Sequence, residues 1–429
     1  MPSQPSIDIL SVFDIVRIKM YKLNTSEALL AAAALIGAYV LAVQYFRFQR
    51  CDRIESKFRR TGRPLSSMTV KEAHDIIRQL RELEFPFALR SSTRMTTLKT
   101  ASVPTVADLF VATGQRSEKS NTKRGADTEV IMNEIHDREA GSDAHVMAFA
   151  RMNYIHSRYR KAGKILDEDM LHTLGSAVVD VFRSIEKYEW RQLSDVEKCA
   201  VGVFYRCMGE AMEIPFHLLP SGKAGFADGI HFAQELCDFT VEYENTAVKP
   251  TQSTLFISRR LMSLETANYP SILRPVVERI IATRLDEHIR VSMGYREPGI
   301  TLSSLVTSSV AMRKFILRYL SLPRPDFMAV KVLDATPDPY TGRYAVKEWL
   351  DNPWYVKPTF LNRWGPKSWS VRLFGTGNVP TKNGPFRDEG YDIKAIGPQI
   401  MENKGQAEVE AIFEDFKRRE TPASCPFHA

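Results

Sequence analysis

Nineteen consecutive residues without a charge, from Ala28 to Phe46 (ALLAAAALIGAYVLAVQYF), constrain this chain more than anything else in it. Gln44 is the one strongly polar side chain among them. As a helix rising about 1.5 Å per residue the run is about 28 Å long, close to the roughly 30 Å hydrocarbon core of a bilayer. It predicts a transmembrane helix over 28–46, with Tyr39 and Tyr45 near the interfaces. A cleaved signal peptide needs a short basic start and a small-residue cleavage site; here 27 mixed residues come first and FRFQR follows. A buried core helix is the other alternative, and the strongly basic flank argues against it. Arg17, Lys19 and Lys22 lie before the run, whereas Arg47, Arg50, Arg53, Lys57, Arg59, Arg60 and Arg63 lie after it. Positive charge stays inside, so the C-terminal body is expected in the cytosol and the N-terminus in the lumen. Apolar residues at roughly helical spacing from Ile7 to Leu23 predict a segment lying flat on the bilayer.

The chain of 429 residues is long enough to bury a sizeable core behind such an anchor. Its net charge of +7 is concentrated beside the apolar run. It reads as attraction to an anionic membrane face, and no nucleic-acid-binding signature accompanies it. Cys51, Cys199, Cys207, Cys237 and Cys425 are scattered and form no CxxC pair, so reduced thiols are expected instead of a disulfide framework or a zinc site.

Helix signals dominate the body. Thr69 to Glu72 is a capping box followed by an amphipathic run through Leu83 that Pro86 closes. Ser194 to Glu197 is a second box, opening a helix to about Met212. Asp143 can cap a helix to Lys161, and further helices are predicted over 168–187, 272–291, 302–320 and 406–419. The polar stretch 113–125 reads as a loop. The Pro-, Gly- and Trp-rich stretch 326–400 reads as irregular structure wrapped on the helices. The expected organisation is a lumenal segment (1–27), a membrane helix (28–46), a basic juxtamembrane linker (47–64), a helical domain (65–325) and an irregular extension with a final helix (326–429). The fold class is all-α.

There is no HExxH, GxSxG, Walker loop or dinucleotide-binding fingerprint. One segment, AFARMNYIHSRYRKAGKI (148–165), invites a chemical reading. On a helix Phe149, Asn153, His156 and Arg160 share a face. A histidine there can hold a metal, and the arginine one turn on can reach an anion beside it. The bland alternative is a packed histidine, with Arg124 and Arg160 as surface charges and Thr128 as a helix cap. His136, His145 and His172 are spare candidates without such context, and His217, His231 and His288 read as structural.

The run HSRYR (156–160) resembles the H-x-x-x-R element of the latex clearing protein (rubber oxygenase) family, and Arg124-Gly-Ala-Asp-Thr128 resembles that family's R-x-x-x-T element. ARMNYIHSRYRKAGKI, LSDVEKCAVGVFYRCMGEAMEIP (193–215) and YLSLPRP (319–325) are similar to its fungal, endoplasmic-reticulum-bound branch, the MpaB-type oxygenases of mycophenolic acid biosynthesis. The resemblance covers roughly residues 65–330. It implies an all-α, membrane-bound oxidoreductase carrying a b-type haem (heme b), with His156 as the axial iron ligand, Arg160 close to the haem, and Arg124 and Thr128 lining its pocket. It implies dioxygen as oxidant and oxidative cleavage of a C=C bond in a prenyl, farnesyl-like side chain. The rubber-cleaving members have a lysine before that threonine that can take the distal iron position; Asp127 stands here instead. Two other readings remain at this point: a haem protein performing another oxidation, and a membrane-anchored scaffold without chemistry.

Overall fold

The computed structural model describes residues 24–113 and 118–419. The segment 7–23, read above as an in-plane helix, lies outside them. Helix α1 (Thr25–Arg47) contains the apolar run and opens on a capping box between Asn24 and Glu27. Its leucines and isoleucines stand exposed, as a lipid-facing helix requires. After Phe48 the chain re-enters a helix, α2 (Gln49–Arg59), whose Cys51, Ile54 and Phe58 recur at helical spacing and are buried. The stretch 47–64, expected as a linker, is thus a docked element. Arg50 pairs with Glu84 at 2.7 Å and Arg63 with Glu72 at 2.8 Å, so two of the basic residues after the anchor hold it to the body.

The body is all-α. Helix α3 (Val70–Gln79) starts at the Thr69–Glu72 capping box and passes into a π turn over Leu80–Glu84. Pro86 does not simply close that element; it is the first residue of α4 (Pro86–Thr100), where its missing N–H costs nothing. Then come α5 (Pro104–Ala112), α6 (Glu118–Asp137), α7 (Asp143–Lys161), α8 (Asp167–Tyr188), α9 (Asp195–Ala211), α10 (Gly229–Ala247) and α11 (Gln252–Thr266). The cap of α7 is Ser142, not Asp143. The expected loop is helical from Glu118 onward: Glu118, Lys119, Lys123 and Arg124 are good helix formers, and Lys123 pairs with Asp127 one turn away. The single helix expected over 272–291 is two, α12 (Arg274–Ala282) and α13 (Glu287–Ser292). Asp286, between them, turns out to pair with Arg183 at 2.5 Å. Helix α14 (Ile300–Phe315) ends in a π turn to Leu320.

Beyond it the chain is irregular, with two short helices, α15 (Phe360–Trp364) and α16 (Pro366–Phe374), and a last one, α17 (Gln406–Arg418), packed on α7. Among the described residues the β pairing consists of isolated bridges such as Tyr344 with Tyr391. The extension is not a separate body. Its Trp354, Tyr355, Tyr391 and Ile396 belong to the same core as the helices.

Helix α8 runs through the middle, buried along most of its length, with α4 on one side and α10 on the other. Helix α9 packs on α3 and α10. Where α9 and α10 meet they touch backbone to backbone: a Cβ on Gly202 would lie 1.8 Å from the carbonyl oxygen of Gly229. Gly202→Ala must therefore push the helices apart and is expected to cost about 1–3 kcal/mol. Gly37→Ala, with nothing within 4 Å in α1, is expected to leave stability unchanged. Thermal denaturation in detergent followed by circular dichroism checks both; equal Tm values for the two variants would contradict the close crossing.

Candidate active site

Helices α4 to α9, with α11 and residues 346–354, enclose a cavity of about 390 Å³. That lies in the range of pockets that hold small molecules. Its lining is apolar and rich in thioethers, from Met132, Met152, Met170, Met208 and Met212. Against this stand five cations, Arg81, Arg90, Arg94, Arg124 and Lys164. Arg94 pairs with Glu129 at 3.3 Å. Arg124 donates to the Thr113 hydroxyl at 2.7 Å and stacks on Phe110 with 5.0 Å to the ring centre.

His156 faces this cavity from α7. Its Nδ1 is buried and has no hydrogen-bond partner among the described residues. Burial, reinforced by the charges of Arg124 and Arg160, pushes its pKa down to about 4. At neutral pH the ring is an uncharged imidazole with a lone pair to give. The predicted helical face does dock as a unit: Asn153 donates to the Ala211 carbonyl at 2.7 Å, and Arg160 to those of Met212 (3.2 Å) and Glu213 (3.0 Å). Arg160 therefore clamps the end of α9, whose Met208 lines the cavity, and is not itself among the lining residues.

Helix α6 divides its labour by face. Arg124, Gly125, Thr128, Glu129 and Met132 turn to the cavity. Lys123, Asp127 and Glu134 turn to the C-terminal extension. Lys123 Nζ lies 2.8 Å from Asp127, 3.1 Å from Glu402 and 2.9 Å from the Gly397 carbonyl oxygen. Tyr355 donates to Asp127 at 2.7 Å. Burial raises the Asp127 carboxyl to about 6 while Lys123 opposes the rise. The residue standing where rubber-cleaving enzymes have a lysine thus points away from the cavity. Thr128 sits in mid-helix, which removes the cap reading.

Sequence reasoning missed Arg90, Arg94, Glu129, Glu265, Trp349 and Trp354, all of them on the wall. The spacing of Arg90 and Arg94, one turn apart on α4, was a usable signal. The spare histidines lie elsewhere. His136 Nδ1 sits 2.7 Å from the Met132 carbonyl oxygen, the His145 ring packs edge-on against His74, and His172 lies 3.2 Å from Glu244.

No family model matches the chain. It is 36% identical over 397 residues to the ER-bound oxygenase mpaB' of Penicillium brevicompactum, spanning 92% of this chain and 93% of that one. It is 35% identical over 363 residues to the ER-bound oxygenase mpaB of the same organism, spanning 83% and 86%. To the ER-bound oxygenase mpaB of Penicillium roqueforti strain FM164 it is 33% identical over 268 residues, or 62% of this chain and 90% of that one. An all-α body behind an apolar N-terminal helix, with these relatives, defines the class: a membrane-associated oxidoreductase of the oxygenase type. The chain belongs to the MpaB family of ER-bound oxygenases.

Two expectations follow. Thr128→Ala places the best helix former in mid-helix and removes a cavity hydroxyl. It should leave Tm unchanged or raise it slightly, while Arg124→Ala and Thr128→Ala both lower turnover; a Tm loss of several degrees with normal turnover for Thr128→Ala would make its role structural. The second concerns pH. Burial pushes His136 and His145 to about 3 and His156 to about 4, from an ordinary 6.5. Between pH 6.5 and 4 the unfolded chain binds protons at these rings and the folded chain does not. Their contribution to stability is complete above about pH 6.5 and is lost progressively as pH falls toward about 4 for His156 and about 3 for His136 and His145. Tm in detergent should drop steadily from pH 7 to 4.5; a flat profile would mean the rings are solvated.

Proposed function

We propose that the cavity holds a b-type haem with His156 as the axial ligand, and that the chain uses dioxygen to cleave a C=C bond in the prenyl side chain of a secondary metabolite. The relatives' names supply the oxygenase class. The observation that carries the rest is a neutral imidazole, with one ring nitrogen unpartnered, facing an apolar cavity that also holds arginines.

The residues fit the group. His156 offers a nitrogen lone pair and no competing proton. Arg90 and Arg124 are cations that could meet two propionates, since arginine binds carboxylates bidentately, while Arg94 is already paired with Glu129. When bound, the haem supplies the redox chemistry with dioxygen. The protein's own work is positional. The methionines exclude water and accommodate a flexible hydrocarbon. The Thr128 hydroxyl presents a hydrogen-bond donor and acceptor to whatever occupies the cavity. Arg160 holds α9 against α7 and so fixes the distance between His156 and the lining on α9. A prenylated substrate partitions into lipid, and the anchor keeps the cavity beside that reservoir. In this reading α1 crosses the endoplasmic-reticulum membrane, the N-terminus is lumenal and the body cytosolic, as the basic flank directs, and the pathway is of the mycophenolic acid type.

The decisive variant is His156→Ala. It should lose most bound haem, the Soret band and oxygenase turnover, with its helical circular dichroism retained. His145→Ala and His172→Ala should keep their haem. A His156→Ala protein with full iron content and an unchanged spectrum would falsify the ligand assignment. Colourless, iron-free wild-type protein would favour a scaffold without chemistry.

A further inference from the structure

We propose that the outer faces of α12, α14 and the α15–α16 pair form one surface that rests on the lipid bilayer, so that the body meets the membrane along its side as well as through α1. This does not depend on the cofactor reading; it depends on α1 being the membrane anchor.

Helix α14 and its π turn carry the first part of the argument. The span Ile300–Leu320 is long and apolar enough to cross a membrane, yet none of it is buried in the protein. Ile300 is 87% exposed, Leu305 63% and Met312 60%. The charges of this span turn the other way, toward the body. Arg313 pairs with Glu189 at 3.1 Å, Lys314 donates to the Glu186 carbonyl at 2.8 Å, and the Arg318 guanidinium stacks 4.1 Å over Phe48. A water-facing helix of a soluble body has the reverse arrangement, charges out and apolar groups in. These ties hold the span along the body, so it lies on the bilayer instead of crossing it.

Continuity with the anchor identifies the occupant. The Tyr39 hydroxyl of α1 donates to the Leu320 carbonyl at 2.8 Å, and Gln44 of α1 reaches the Arg318 carbonyl at 3.4 Å. The end of the exposed span therefore touches the helix that is already in lipid. Helix α14 also packs on α12, where Val276 is 43% exposed, and Ile272 in the turn just before it is 83% exposed. From the turn after α11 the surface passes to α16: Thr376 donates to the Ala267 carbonyl at 2.9 Å, and Asn268 donates to that of Leu350. On α15 and α16, Phe360, Leu361 and Leu373 are exposed beside two exposed tryptophans, Trp364 and Trp369, with Arg372 stacked on both. Tryptophan beside arginine is the composition of a membrane interface. Leu264 and Leu350, within a few residues of these contacts, line the cavity. The surface therefore adjoins the cavity wall, as entry of an apolar-tailed substrate from lipid requires.

Intrinsic fluorescence tests this directly. Of the five tryptophans, Trp190, Trp349 and Trp354 are buried, whereas Trp364 and Trp369 are exposed. The full chain would be placed one copy per nanodisc in phosphatidylcholine with brominated acyl chains. Emission should fall by about two fifths, the share of two tryptophans in five, relative to unbrominated lipid. Trp364→Phe with Trp369→Phe should abolish that loss, and adding Ile300→Trp to the pair should restore it. Leu361→Glu with Leu373→Glu should reduce the quenching while circular dichroism and disc retention stay as in wild type. No quenching in one-copy discs would overturn the proposal, whether water, residues 1–23 or a second copy covers the face. Quenching that appears only when two copies share a disc would overturn it equally.

Discussion

A buried guanidinium that spends its hydrogen bonds on backbone carbonyls holds this molecule in one piece. Arg151, fully buried on α7, donates to the carbonyl oxygens of Ile396 (2.6 Å), Lys404 (2.7 Å), Met401 (2.8 Å) and Ala395 (3.2 Å). A buried charge is tolerable only when its donors are satisfied, and bonds to a charged group contribute about 1.5–3 kcal/mol each. The segment 395–404 forms no regular element, and Arg151 adds donors to its carbonyls, two of which, Ala395 and Met401, also accept a backbone N–H from within the segment. The same arginine lies on the helix that carries His156. The extension is thus anchored to the same helix that presents His156 to the cavity.

Helix α6 repeats the logic. Its rear face meets the extension through Lys123, Asp127 and Glu134, the last accepting from the buried Tyr391 hydroxyl. Its front face presents Arg124 and Thr128 to the cavity. Polar groups on both sides of a buried helix are costly unless each is paired, and here the extension supplies the partners at the rear. The residues that let the extension dock also fix which way the front residues aim.

Much of this was legible in the chain because the signals are local. The apolar run, the two capping boxes and the periodicity of 148–165 each depend on residues within a few turns, and each element formed where expected. The unreadable part is long-range. Nothing near Asp127 says that its partner is Tyr355, 228 residues on, so the extension could be seen as irregular but not as a wall of the cavity. The same gap explains Arg160. The motif places it one turn from His156, but in the fold it donates to the carbonyls of Met212 and Glu213 and does not line the cavity. The part of the expected loop from 118 to 125 proved helical for a related reason: a polar, lysine-rich stretch looks solvated until one sees that Lys123 is buried against Glu402.

The five methionines of the cavity wall have a consequence for the lifetime of the protein. Thioethers pack softly against a hydrocarbon chain, but they are also among the most readily oxidised side chains, and the sulfoxide is polar. Under the function proposed above, in which the pocket handles dioxygen, the wall would be the nearest reductant whenever an oxidant is released without substrate in place. Each such accident would make the wall wetter and less suited to a hydrocarbon. On that reading the pocket would age with its idle cycles, and tight coupling of oxygen use to substrate occupancy would preserve the pocket as well as the yield.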